Sequence, residues 1–207
     1  MRDRPPRIVI TGAAHGVGRL CALSLAEWKA ELILCDHDGP GLHAVTSAIG
    51  CFGRFCDVAS EASVCILAEE LSERFDAIDA LINVAGGSYV RPLGTWRVSR
   101  ALLPALRKSP GESLIVNIAS RRRPDEGGHF QYACSGEAIE GLHEGLVNST
   151  RGSNVRIAVV AGQASSTDQL PHPSLGASQA VAVIAKTFGL PPFGSPIEPR
   201  EPEQRRA

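Results

Sequence analysis

The sequence predicts an α/β fold: a doubly wound parallel sheet of about six strands, covered by helices on both faces, in a single domain. Three observations predict it. Short apolar runs recur along the chain, and helical patterns separate them one by one. The strand-like runs are continuously apolar, as expected of strands buried on both faces. The first run, Ile8-Val9-Ile10, leads straight into a glycine turn and then a helical pattern from Val17 through Leu20, Leu23 and Leu25. Right-handed crossovers between such units place the ligand beyond the carboxyl ends of the strands.

In chain order, strands are expected near 7–12, 31–36, 53–57, 79–85, 113–119 and 155–161. Helices are expected near 16–29, 39–48, 60–75, 95–108, 132–150 and 176–188. The first turn carries Thr11, Gly12, Gly16 and Gly18 in the spacing Gly-x-x-x-Gly-x-Gly. Free N–H groups and the dipole at a helix N-terminus favour a phosphate, and the glycines let the backbone approach a pyrophosphate. The second run, Leu32-Ile33-Leu34-Cys35, ends in Asp36. An acid there can bond adenosine ribose hydroxyls and repel a 2′-phosphate, which favours NAD over NADP. Asp36 can instead cap the next helix, with Asp38 competing for that role. Asp57-Val58, Asn83-Val84-Ala85-Gly86, Ser120 and Gly162 end the remaining runs, so small and polar residues gather on one rim.

The 207 residues suit one well-buried domain, 1–188, followed by a tail, 189–207, with five prolines that is expected to be extended or disordered. Hydrophobic content of 43% and a net charge of −1 fit a folded globular chain and give no basic excess for nucleic acid. No apolar stretch is long enough to span a bilayer, and the charged start lacks a signal-peptide core, so a cytoplasmic location is expected. The six cysteines, at 21, 35, 51, 56, 65 and 134, form no Cys-x-x-Cys pair. Buried reduced thiols are expected, and no metal site.

Taken together, the ordered motifs Thr11-Gly12-x-x-x-Gly16-x-Gly18, Asp36, Asp57, Asn83-x-Ala85-Gly86, Ser120 and Tyr132 resemble those of the short-chain dehydrogenase/reductase family, over roughly residues 7–165. The resemblance implies a Rossmann-like domain and an NAD-dependent oxidoreductase acting on a small alcohol or carbonyl compound. It implies that Asp57 contacts the adenine and that Asn83 helps hold the central strands and the cofactor. Ser120 would bond the substrate carbonyl, and Tyr132 would exchange a proton with the substrate oxygen. The implied cofactor site comprises Thr11, Gly12, His15, Gly16, Val17, Gly18, Asp36, Asp57, Val58, Asn83, Ala85, Gly86 and Gly162.

The chain departs from the family pattern at several points. The family's Tyr-x-x-x-Lys reads here Tyr132-Ala133-Cys134-Ser135-Gly136, and the three lysines, Lys29, Lys108 and Lys186, lie elsewhere. Positions four apart share a helix face, so a lysine there would lower the phenol pKa; an unaided phenol titrates near 10. Arg121-Arg122-Arg123 can bring positive charge to the rim but cannot relay protons. His15 and His129 are candidate proton carriers. The stretch between Gly87 and Pro104 is short, no active-site asparagine is found there, and the helix through which the family forms homo-oligomers is shortened. A non-catalytic nucleotide-binding protein for sensing or partner binding, and a non-redox enzyme on the same scaffold, therefore stand as alternatives.

Overall fold

The computed structural model describes residues 3–84, 90–120, 141–162 and 175–189. The elements are β1 (Arg7–Thr11), α1 (Gly16–Ala26), β2 (Glu31–Asp36), α2 (Gly39–Ile49), β3 (Phe52–Phe55), α3 (Glu61–Arg74), β4 (Ala80–Asn83), α4 (Val90–Arg107) and β5 (Ser113–Ser120). The helical stretch 141–150 is α5, and β6 (Val155–Gly162) and α6 (Leu175–Phe188) follow. The six strands form one parallel sheet in the order β3-β2-β1-β4-β5-β6. The order reverses between β1 and β4, which opens a crevice beyond the carboxyl ends of the central strands.

Both sheet faces are dry, which is why the strands read as unbroken apolar runs. Ile8, Ile10, Leu32, Leu34, Ile82 and Val116 point to one face, where Cys21, Leu25, Leu42 and Ile184 cover them. Val9, Ile33, Leu81 and Ile115 point to the other, against Leu67, Leu71, Val98 and Leu106. Each such side chain contributes about 1.5–3 kcal/mol by leaving water.

Helix ends follow local chemistry. Asp38 and Ser60 cap α2 and α3 by accepting N–H bonds from Gly41 and Ser63. The first helix is expected to run to 29 but stops at Ala26, because Lys29 adopts a left-handed φ of 56°. The fourth begins at Val90, five residues before the expected 95, with Pro92 in its first turn, where no N–H bond is lost. The expected third strand reaches 57, but pairing ends at Phe55, so Asp57 and Val58 lie in the turn that follows. The expected proline-rich tail lies, from residue 190 on, outside the described residues. Burial keeps Cys35 and Cys56 protonated and pushes the Cys21 thiol up to about 12. No helix among the described residues is long and apolar enough to cross a membrane.

Candidate cofactor site

The turn after β1 is shaped by two positions with opposite constraints. Gly16 has φ +49°, and a Cβ there would meet nothing within 4 Å. Gly18 has no such freedom: a Cβ on it would lie 2.0 Å from the Gly12 carbonyl oxygen. Gly18 thus lets α1 sit against the turn, and Gly16 leaves an open face at the helix start. His15 is the N-cap residue, but its side chain does not cap, and the first turn of α1 carries no acid. A helix start without an internal acceptor, beside an open glycine, fits a pyrophosphate.

Asp36, at the end of β2, is buried. Its Oδ2 accepts from the Ala14 N–H at 3.0 Å and its Oδ1 from the Asp38 N–H at 3.0 Å. The carboxylate therefore anchors the glycine turn to the second strand. It does not cap α2; Asp38 does, with Oδ1 3.2 Å from the Gly41 nitrogen. The other oxygen of Asp38 is 2.5 Å from Nε2 of His15, so two exposed side chains link the loops after β1 and β2. The Gly41 N–H bond and then the His15 bond hold the Asp38 carboxyl below the usual range.

Beyond β3, Asp57 accepts from the Ala59 N–H at 2.9 Å, and its own N–H donates to the Ser63 hydroxyl at 3.0 Å. Val58 is buried under α4, where a Cβ on Gly94 would lie 2.7 Å from Val58 Cγ2. Val58 is therefore a packing residue of the rim.

The centre of the crevice is polar. Asn83 Nδ2 donates to Ser99 Oγ at 3.0 Å and to Asn117 Oδ1 at 2.9 Å, and all three residues are buried. This network joins β4, β5 and α4. Thr11 joins β1 to the same point, its Oγ1 accepting from the Val84 N–H at 3.2 Å. Asn83 Oδ1 and Asn117 Nδ2 are buried with no bond to described residues. The sequence reading missed Ser99 and gave Asn117 no role. The available signal was a lone Asn at the same level of two adjacent apolar strands, where the register pairs Asn83 with Asn117. Ser120 ends β5 directly opposite Gly162 of β6. Ala85, Gly86, His129, Tyr132, Gly136 and the arginine triplet lie outside the described residues. Among the described residues no group of three or more His, Cys, Asp or Glu could hold a metal.

A glycine turn, an uncapped α1 and a buried acid at the end of β2 thus meet beside the point where the strand order reverses. Residues 6–172 match the family described as short chain dehydrogenase. The chain belongs to this family. Short-chain dehydrogenases are oxidoreductases that bind a nicotinamide cofactor. The chain is 30% identical over 134 residues to an L-fucose dehydrogenase of Bos taurus, covering 55% of this chain and 48% of that one. It is 36% identical over 183 residues to dehydrogenase/reductase SDR family member 7B of Danio rerio, covering 74% and 59%. It therefore spans about half to three-fifths of the length of these two relatives. A metagenomic short-chain oxidoreductase solved with NADP superposes with a TM-score of 0.72 at 23% identity, covering 87% of this chain and 90% of that one. That likeness speaks for the fold.

Proposed function

We propose that this short-chain dehydrogenase interconverts a small alcohol and its carbonyl compound with NAD(H), in preference to NADP(H). The observation that carries the proposal is the uncapped start of α1 with the open face of Gly16, set beside the Asp36 carboxylate. His15, Gly16 and Val17 line the pyrophosphate end, while Gly12 and Gly18 shape the turn behind them and Thr11 ties it to the strand β4. Asp36 puts a negative charge where the adenosine ribose would lie, and this charge disfavours a 2′-phosphate. Because backbone N–H groups hold both of its oxygens, the carboxylate stays fixed as cofactor enters. Asp57 borders the adenine, with Val58 packed behind it, Asn83 and Gly162 border the nicotinamide end, and Ala85 and Gly86 complete the proposed site in sequence.

A bound nicotinamide would supply or accept the hydride. Ser120 donates a hydrogen bond to the substrate oxygen. Tyr132 exchanges a proton with the same oxygen: its phenol protonates the product of carbonyl reduction, and its phenolate accepts the proton in alcohol oxidation. Gly136 supplies no charge to stabilise the phenolate, so at neutral pH the phenol form predominates and is ready to act as the acid in carbonyl reduction.

The deciding experiment pairs calorimetric titration of NADH and NADPH with a carbonyl panel followed by loss of NADH absorbance. Expected are NADH binding at least ten-fold tighter than NADPH, and turnover of at least one small carbonyl compound that Tyr132→Phe abolishes. Equal affinities would overturn the cofactor preference, and turnover surviving Tyr132→Phe would overturn the role of Tyr132.

A further inference from the structure

At the opposite end of the sheet from the cofactor crevice, a cavity of about 400 Å³ opens between the C-terminal ends of α1, α2 and α3 and the starts of β2 and β3. That volume is enough for a small organic ligand. Ala30, Leu32, Ile49, Cys51, Phe52 and Phe75 contribute apolar side chains to its wall, although polar atoms make up the larger part of the exposed lining. Phe52 and Phe75 meet edge to face with centroids 6.2 Å apart. Burial raises the Cys51 thiol, so this wall stays uncharged.

The charges of the cavity are not balanced. Arg7 pairs with Glu31 at 2.6 Å, which neutralises the one acid of the lining. Arg74 lies over the Phe52 ring at 4.4 Å, and no acid pairs with it among the described residues. Lys29 is exposed at the rim, and no acid pairs with its ammonium among the described residues. Lys29 is also the one described non-glycine residue with positive φ, 56°, at a helix end where glycine is the unstrained choice. The helix ends themselves favour cations. Near these ends, Thr46 accepts from Gly50 and Cys51, Leu71 from Phe75, and Ala26 from Lys29. Lys29 and Arg74 are thus two cations at the cavity without an acid partner among the described residues, and Arg74 is held over Phe52 and Phe75.

We propose that this cavity is a second binding site, for a small aromatic or acyl carboxylate. Its apolar body lies against Phe52 and Ile49, and its carboxylate is held between Lys29 and Arg74. The site does not depend on the proposed dehydrogenase reaction.

The probe is 2-naphthoate, with 2-naphthylmethanol as the neutral molecule of the same shape, titrated into the full chain by calorimetry with and without saturating NADH. Expected is saturable binding of 2-naphthoate, at least ten-fold tighter than that of the alcohol and unchanged by NADH. Lys29→Gly and Arg74→Gln should each weaken it at least five-fold while NADH affinity stays the same. Lys29→Gly removes a strained side chain and so should fold at least as well as the parent; Arg74→Gln changes an exposed position and gives an independent reading. Absence of binding at millimolar probe, equal binding of the alcohol, displacement by NADH, or indifference to both substitutions would overturn the proposal.

Discussion

Gly16 and Gly18 stand two residues apart under different constraints: Gly18 answers to the fold, and Gly16 to the pyrophosphate proposed above. A methyl group on Gly18 would drive into the Gly12 carbonyl, a backbone atom that cannot step aside cheaply. Gly18→Ala should therefore cost about 2–3 kcal/mol or prevent folding, read from the urea midpoint. Gly16→Ala meets no atom but must hold φ +49°, which costs about 1–2 kcal/mol. That variant should fold, yet bind NADH at least ten-fold more weakly, because its methyl group projects into the open face of the turn. Unchanged NADH affinity in Gly16→Ala would place the pyrophosphate elsewhere. Both glycines were legible in the sequence as a motif. Their division of labour was not, because it depends on where α1 packs against the turn.

At the scale of elements, the end of α1 and the Tyr132 segment each turn on a single position. Lys29 adopts the left-handed conformation in which α1 stops. Lys29→Gly should therefore raise Tm by a few degrees, about 0.5–1 kcal/mol, in a thermal melt. A lower Tm would mean that the lysine side chain contributes more by packing than it costs in strain. The second case concerns pH. With Gly136 four residues after Tyr132, alcohol oxidation should be slow at pH 7 and rise toward pH 10, as the phenolate forms. Gly136→Lys should speed oxidation at neutral pH and move the profile down by about one unit or more. A flat profile in both proteins would exclude a phenol as the base. Among the described residues, helix and strand ends followed from periodicity to within a few residues, and the start of the helix expected from 132 lies outside them. The largest shift, at the start of α4, falls where the sequence carries Pro92 and Gly94 and so reads as loop.

Across the whole molecule, the two ends of the sheet serve different purposes. The carboxyl ends hold the crevice, and the amino ends hold a polar latch around Asp79, which is fully buried. Its carboxylate accepts from the Arg7 N–H at 2.8 Å, from Ser109 Oγ at 2.6 Å and from Arg4 at 2.5 Å. Burial opposes its ionisation, but these bonds outweigh burial and hold its pKa below the ordinary value. The stabilisation is therefore whole above about pH 4 and fades as pH falls through the lower folded-state value. Asp79→Ala should cost about 2 kcal/mol at pH 7, reduced from the usual value for a buried pair because Arg4 is partly exposed. The loss should shrink in urea titrations as the pH approaches 3. An Asp79→Ala effect that does not vary with pH would assign the latch to packing. NADH at one hundred times its Kd should stabilise the fold by about 2.7 kcal/mol, a Tm rise of roughly 5–10 °C. No shift at that concentration would remove the cofactor from this crevice.

By itself the sequence determined the fold class, the order of strands and helices along the chain, the glycine turn and the acid at the end of β2. Each of these rests on local periodicity or on residues close together in the chain. Tertiary structure decided which partners those residues meet. Asp36 is 22 residues from the Ala14 N–H that it binds, and His15 is 23 from Asp38. Asn83 lies 34 residues from Asn117, and Arg4 lies 75 from Asp79. Such pairs carry no periodic signal, because they form only once parallel strands fix the register between distant segments. The cavity at the amino end has the same origin: its walls come from five elements, and its two cations lie 45 residues apart in sequence (74 − 29).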